Sequence, residues 1–386
     1  MIKRLGDIAS FRRGLTYSKG DEALLSNKRV LRSNNIDLES SSLDLSEIKY
    51  LREDFIIPDD RKLVANSIFI CMSNGSKQHV GKVAFIPEDM DYAFGGFMGL
   101  IVPSSEVSAK YVFYACQSSA YRSFLSQVGN GIGITNLRFS DLEKFEFPVP
   151  SLADQQRIVA ELDLLSGIVE KKNAQLKIMG YLEQSVFYEM FDQPDSSSFP
   201  VFKLSQLSRQ KLSYGSGASA VEFNGNVRYV RITDIQEDGT LTENSMSPDS
   251  YDEKYLLHEG DILFARSGAT VGKTFLYNKQ DGKSIYAGYL IRFVPDVSVV
   301  YPEYIYHFTR SQYYKAFVRA NAQAVAQPNI NAQQYGNLEI CVPPMSLQKD
   351  FVERIMSIDS QKATIKRSIK VAQNLLASRL DNYFNV

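Results

Sequence analysis

A chain of 386 residues is longer than one hydrophobic core usually takes, so two or more domains are expected. Apolar residues at 44% and charged residues at 23% are the proportions of a folded globular protein and exclude a mainly disordered one. Lys and Arg total 43 against 44 Asp and Glu, so no overall positive field marks a nucleic-acid binder, and any such binding must rest on local patches. Cys71, Cys116 and Cys341 lie in separate segments without CxxC spacing, which argues against disulfides or structural zinc and fits a reducing cytosol. Met1 to Asp7 meets an acid before any apolar run, and no segment reaches the ~20 apolar residues a bilayer span needs. Neither secretion nor membrane insertion is expected.

In chain order, residues 1–150 carry short β-branched and aromatic runs such as Ser67-Ile68-Phe69-Ile70, broken by Gly, Asn and Ser turns, which predict strands. A helical stretch follows from Tyr111 to Ser126, where apolar residues recur at three- and four-residue steps. After Pro148-Val149-Pro150, Ser151 with Asp154 three residues on forms a capping box that opens a long helix over 151–193. Its heptad seam is Leu162, Leu165, Val169, Lys172, Leu176, Met179, Glu183, Val186 and Met190.

Residues 194–344 and 345–386 then replay both parts. Val30-Leu31-Arg32-Ser33-Asn34-Asn35-Ile36 answers Tyr229-Val230-Arg231-Ile232-Thr233-Asp234-Ile235 at an offset of 199. Ile68-Phe69-Ile70 with Val80-Gly81-Lys82 matches Ile262-Leu263-Phe264 with Val271-Gly272-Lys273, and Gly96-Phe97-Met98 meets Gly288-Tyr289-Leu290. From Tyr111 the offset holds at 193, pairing Tyr111 with Tyr304, Ser118 with Ser311, Asn136 with Asn329 and Gln155 with Gln348. A second helical stretch, Tyr304 to Arg319, and a second long helix starting at Ser346 after Pro343-Pro344 follow from it. The same offset maps the seam onto Ile355, Ile358, Lys362, Ile365, Ile369, Ala372, Leu376, Arg379 and Tyr383. The fold class is therefore a duplicated mixed α/β (α+β) arrangement: a domain over 1–150, a helix over 151–193, a domain over 194–344 and a helix over 345–386.

A single such helix would read as an ordinary amphipathic helix on its own domain. Two helices in one register read as partners in a coiled coil. Residues 151–199 hold 4 basic and 8 acidic side chains, and 345–386 hold 7 basic and 4 acidic, so opposite net charge favours pairing within the chain. The plain alternative is that most of these charges form a solvated face.

Signals for chemistry are weak. Gly268-Ala269-Thr270-Val271-Gly272-Lys273-Thr274 has three residues between its glycines where a P-loop needs four, so a turn at a strand end accounts for it better. Asp37 with Glu47 and Lys49 suggests the carboxylates and lysine of a metal-dependent nuclease, but the second copy has no Glu-x-Lys there. His79, His258 and His307 are out of helical reach of one another, and no Gly-x-Ser-x-Gly elbow or dinucleotide fingerprint occurs. No catalytic or metal-binding residue is assigned.

The order of these parts resembles the specificity subunits of type I restriction-modification systems across essentially the whole chain. The resembling residues are Phe147-Pro148-Val149-Pro150-Ser151-Leu152 with Gln155-Gln156-Arg157-Ile158, Val342-Pro343-Pro344-Met345-Ser346-Leu347-Gln348, and Gly260-Asp261-Ile262-Leu263-Phe264-Ala265-Arg266-Ser267-Gly268 with Val271-Gly272-Lys273. The first copy departs from the last pattern with Asn66-Ser67 for Gly-Asp and Met72 for the arginine. The resemblance implies a non-catalytic cytoplasmic subunit that reads a bipartite double-stranded DNA target. Its two target recognition domains would be related by an approximate two-fold axis across an antiparallel coiled coil, with ~60 Å helices setting the half-site spacing. It also implies docking of two adenine-N6 methyltransferase subunits, to which a restriction subunit can be added, with S-adenosylmethionine, ATP and magnesium held by those partners. A DNA-cleaving enzyme built on Asp37, Glu47 and Lys49 and a non-DNA coiled-coil adaptor are the competing readings.

Phosphate and base contacts need Lys, Arg, Asn, Gln and small polar groups on turns. In the first domain these are Arg12, Arg13 and Lys19, then Arg32, Ser33, Asn34 and Asn35, then Asn74, Lys77, Gln78 and His79, then Asn136. In the second they are Arg231, Thr233 and Asp234, then Arg266, Ser267, Thr270 and Lys273, then Gln327 and Asn329. Loops are rich in these types anyway, so only the sets carry weight. Tyr17, Tyr214 and Tyr289 are expected to pack cores rather than stack on bases.

Overall fold

The computed structural model describes residues 1–128, 136–191, 199–322 and 328–385. They form two compact units, Met1–Gln175 with Ile365–Val386, and Leu176–Thr364. Each long helix, Leu152–Phe191 and Met345–Phe384, therefore contributes one part to each unit. Among the described residues no helix is long and apolar enough to cross a membrane.

In the first unit a four-stranded antiparallel sheet has the order Ala9–Arg13, Met98–Pro103, Ser67–Cys71, Val83–Ile86. Every residue of Ser67–Cys71 is buried, because the strand serves two cores at once. Ile68 and Ile70 face the helices Ala109–Ala115 and Ser119–Val128, while Phe69 and Cys71 face Leu31, Phe94 and Leu100. Side chains alternate across a strand, so a continuous apolar run is what a sheet covered on both faces requires. A second, five-stranded sheet includes Lys28–Leu31 paired in parallel with Met90–Phe94.

The second unit repeats this plan. Ser213–Tyr214, Leu290–Phe293, Ile262–Ala265 and Thr274–Leu276 form a sheet of the same strand order, and Arg228–Val230 pairs in parallel with Ser284–Tyr286. Each expected helical stretch before the long helix is two helices, with breaks at Ser118 and Ser311. The reason is local: each serine hydroxyl accepts the amide of Tyr121 or Tyr314, capping a new helix instead of continuing the old one.

At the first long helix Ser151 Oγ accepts the Asp154 amide, which is the N-cap half of the expected box, while the Asp154 carboxylate accepts the Ser151 hydroxyl. The second starts one residue before the expected Ser346, at Met345, after Pro344. Every expected seam position, from Leu162 to Met190 and from Ile355 to Tyr383, is buried or half-buried. Within the first unit Ile158 and Leu162 share a core with Leu380 and Phe384, and Glu161 accepts hydrogen bonds from Arg379 and Tyr383. Phe384 meets Tyr111, whose hydroxyl donates to the Pro148 carbonyl just ahead of the first helix, so the two helix segments run antiparallel. Within the second unit Phe187 and Phe191 meet Phe351 and Tyr304, and further into both helices Glu183 pairs with Lys362 at 2.7 Å. These segments too are antiparallel.

Candidate nucleic-acid interface

Two backbone segments cross at the same place in each unit, and glycine makes the crossing possible. A Cβ on Gly14 would stand 2.0 Å from the Gly95 carbonyl oxygen, and one on Gly215 2.3 Å from that of Tyr286. The crossing pins a tight turn. Met98 N donates to Gly95 O (2.8 Å) and Gly95 N to Leu31 O (2.9 Å); Leu290 N donates to Ala287 O (2.8 Å) and Ala287 N to Val230 O (2.9 Å). The residue after the central strand then captures the turn from below, Met72 N donating to Phe97 O in one unit and Arg266 N to Tyr289 O in the other. A further loop joins through bridges of Ser73 with Asn136 and of Ser267 with Asn329.

In the first unit this crossing borders an open cavity of about 870 Å³, lined by Tyr17, Arg32, Asn34, Glu47, Asn74 and Phe97 among others. Arg32 lies 3.6 Å from Glu47, Asn34 donates to the same carboxylate at 3.4 Å, and Asn74 donates to Ser33 Oγ at 2.9 Å. Burial pushes the pKa of the Tyr17 hydroxyl up against the pull of Arg32, which keeps it a neutral hydrogen-bonding group. Donors and acceptors thus converge on one concave surface.

Asn35 is not on that surface. It is fully buried, its amide nitrogen donating to the carbonyls of Asp44 and Glu47 while its oxygen accepts the Arg32 amide. With its hydrogen bonds consumed inside the loop, it shapes the presentation of Arg32 and Asn34 and is corrected from a contact to a scaffold residue. Arg12 and Arg13 lie on the strand paired with Leu100 and Gly99, and Lys19 is exposed in the turn Lys19–Asp21; none lines the cavity. Lys77, Gln78 and His79 form a separate short turn, with Lys77 and Gln78 exposed.

In the second unit Arg266, Ser267 and Asn329 come together. The Arg266 guanidinium sits 4.6 Å from the Tyr214 ring centre and donates to Asn329 Oδ1 at 3.2 Å. Arg231 is tied in two hydrogen bonds to buried Asp234, the counterpart of Asn35, and Thr233 beside it is exposed. Thr270 Oγ1 donates to the Ser267 carbonyl. Lys273 Nζ pairs with Glu237 at 2.8 Å and reaches the Ile235 carbonyl, as Lys82 reaches that of Ile36, so both lysines brace a loop. Gly272 and Gly81 both have positive φ, and their carbonyls accept from Tyr314 and Tyr121, the geometry of a turn at a strand end. Gln327 lies outside the described residues.

The nuclease-like residues are not brought together. Asp37 accepts from Ser40, Glu47 faces Arg32, and Lys49 pairs with Glu22. Tyr214 and Tyr289, expected to pack cores, are instead exposed, with the Arg266 guanidinium over the Tyr214 ring, and Phe97 carried no expectation of a role. Phe97 and Tyr289 stand exposed, and the signal available for them was an aromatic directly after glycine at matched positions of both copies.

A family model described as the type I restriction modification DNA specificity domain matches residues 1–178 and again 199–373. The chain is 25% identical over 93% of its length to the type I restriction enzyme StySPI specificity subunit of Salmonella potsdam, covering 82% of that protein. It is 24% identical over 96% of its length to the EcoKI specificity subunit of Escherichia coli strain K12, covering 84% of it. A crystal structure of a type I restriction-modification S subunit from M. genitalium aligns over 100% of this chain and 96% of that one, with a TM-score of 0.56 at 13% identity. A chain from a structure on complex assembly and conformational transition of the type I R-M system aligns over 99% and 97%, with a TM-score of 0.55 at 14% identity.

Proposed function

Since the chain belongs to the family of the type I restriction modification DNA specificity domain, we propose that it chooses the DNA sequence on which partner subunits act. The observation that carries this reading is one surface made twice: in each unit a pinned turn, a loop after the buried central strand and a bridged loop present polar side chains around one crossing. Base edges are told apart by Arg, Asn and Gln held in fixed positions, and phosphates fix the register.

The two surfaces carry different side chains. Asn34 on the first stands where the second has Thr233, and Met72 where it has Arg266, so the target is bipartite and its two parts differ in sequence. Near-zero net charge fits a surface whose cations sit beside acids such as Glu47 and Glu237, leaving affinity to the partners and discrimination to this chain. In this reading two adenine-N6 methyltransferase subunits dock on the chain, and a restriction subunit can be added to them. S-adenosylmethionine, ATP and magnesium are bound by those subunits, and the chain itself is not an enzyme.

Footprinting of the complex with its methyltransferase on genomic fragments tests the reading. Asn34→Ala should relax base preference in one part of the target and Arg266→Ala in the other, each by ~1–3 kcal/mol for the affected base. A wild-type complex without sequence preference would overturn it.

A further inference from the structure

Resting on that DNA-reading role, we propose that Phe97 and Tyr289 are wedges: each unit inserts one aromatic ring between neighbouring bases of the duplex part that it reads. The two rings occupy the same place in the two copies, at the third position of the turns Gly95 to Met98 and Ala287 to Leu290. They are 73% and 62% exposed, at matched positions of two turns pinned by the same hydrogen bonds. Their backbone is held from beneath, since the Phe97 carbonyl accepts the amides of Met72 and Ser73 and the Tyr289 carbonyl accepts that of Arg266. The backbone that carries each ring is thereby fixed at the crossing where the polar readers gather, so only the rotamer of the ring itself is left to order when it meets a ligand.

The chemistry of the pair narrows what it meets. Phenylalanine offers no donor or acceptor, so a phosphate gains nothing from it, and among base edges only the thymine methyl gives it a contact. What Phe97 and Tyr289 share is a flat π-face. Every base has one too, and apolar side chains presented in this way part a base step and bend the duplex. Neighbouring groups differ between the units, Asn34 standing where the second has Thr233 and Met72 where it has Arg266, whereas the aromatic recurs. Insertion into stacked bases is the sequence-tolerant part of such a surface, and the polar groups are the selective part.

The test uses the complex with its methyltransferase and a duplex carrying the footprinted target, with 2-aminopurine placed in turn at each step. The wild-type complex should raise fluorescence at one step in each part. Phe97→Ala should abolish the rise in one part and Tyr289→Ala in the other, each weakening binding roughly tenfold, while Tyr289→Phe keeps both. Thermal unfolding of the variants at the wild-type temperature separates loss of the ring from loss of the fold. A rise that survives both alanine variants, or unchanged affinity in both, would overturn the wedge while leaving the DNA-reading role standing. Absence of any site preference in the wild-type complex would instead remove that role, and the wedge with it.

Discussion

Gln155 and Gln348 do the same work at matched positions. Each is buried just inside a long helix, its amide nitrogen donating to a proline carbonyl, Pro150 or Pro343, and its oxygen accepting a domain amide, that of Ser108 or Tyr301. One side chain thus clamps helix to domain. His307 is a residue of a different kind: buried against Phe351 and close to the charges of Arg310 and Lys362, it is held neutral, its pKa lowered to about 3 chiefly by desolvation. An unfolded imidazole takes its proton near 6.5, the ordinary value, so between that pH and about 3 the unfolded chain binds more protons than the fold. Stability from this group is complete above pH 6.5 and is lost as pH falls through that window. His307→Phe should flatten this part of the profile, which urea unfolding at about pH 7 and about pH 5 measures.

At the scale of elements, the helix seam was legible because a seven-residue repeat dictates which side chains are covered, whatever covers them. Two of its polar members, Glu183 and Lys362, answer each other across the second unit. Burial pushes the Glu183 carboxyl pKa up and the Lys362 hydrogen bond draws it down, so the pair stands partly desolvated. Lys362→Met alone should cost up to ~3 kcal/mol by stranding the carboxylate, and adding Glu183→Leu should recover most of it, as a double-mutant cycle in denaturant would show. The split at Ser118 and Ser311 was not legible, because a serine within an amphipathic pattern looks neutral until its hydroxyl is seen to cap the next helix. Asn35 escaped for a related reason: a buried, saturated amide and an exposed, reading one share the same letter. Arg231 and Lys273 stand out in the sequence by type alone, and which acid folds back onto them, Asp234 or Glu237, is a property of the loops' three-dimensional course.

For the whole molecule, duplication was the most readable feature, since a repeated order of strands, turns and prolines survives where individual residues diverge. The site was readable only as a set of polar letters; Arg32, Asn34 and Asn74 gather around one cavity because the Gly14 crossing brings remote segments together, and no local pattern announces such a crossing. The composition of the first unit carries its own prediction. It includes Ile365–Val386, whose Leu380 and Phe384 lie in its core beside Tyr111 and Leu162. A chain ending at Thr364 should therefore melt its amino-terminal unit at lower denaturant, with Tyr111 quenched earlier by solvent, while His307 and its neighbours keep their native signals.

That tie between distant stretches has a bearing on biosynthesis. The unit that leaves the ribosome first lacks part of its interior until Leu380 and Phe384 have been made, so it stays incomplete while the intervening domain is translated. A nascent chain stalled before residue 365 would expose the Tyr111 and Phe147 face to chaperones, and release from them would be timed by arrival of the second helix rather than by completion of the first domain's strands.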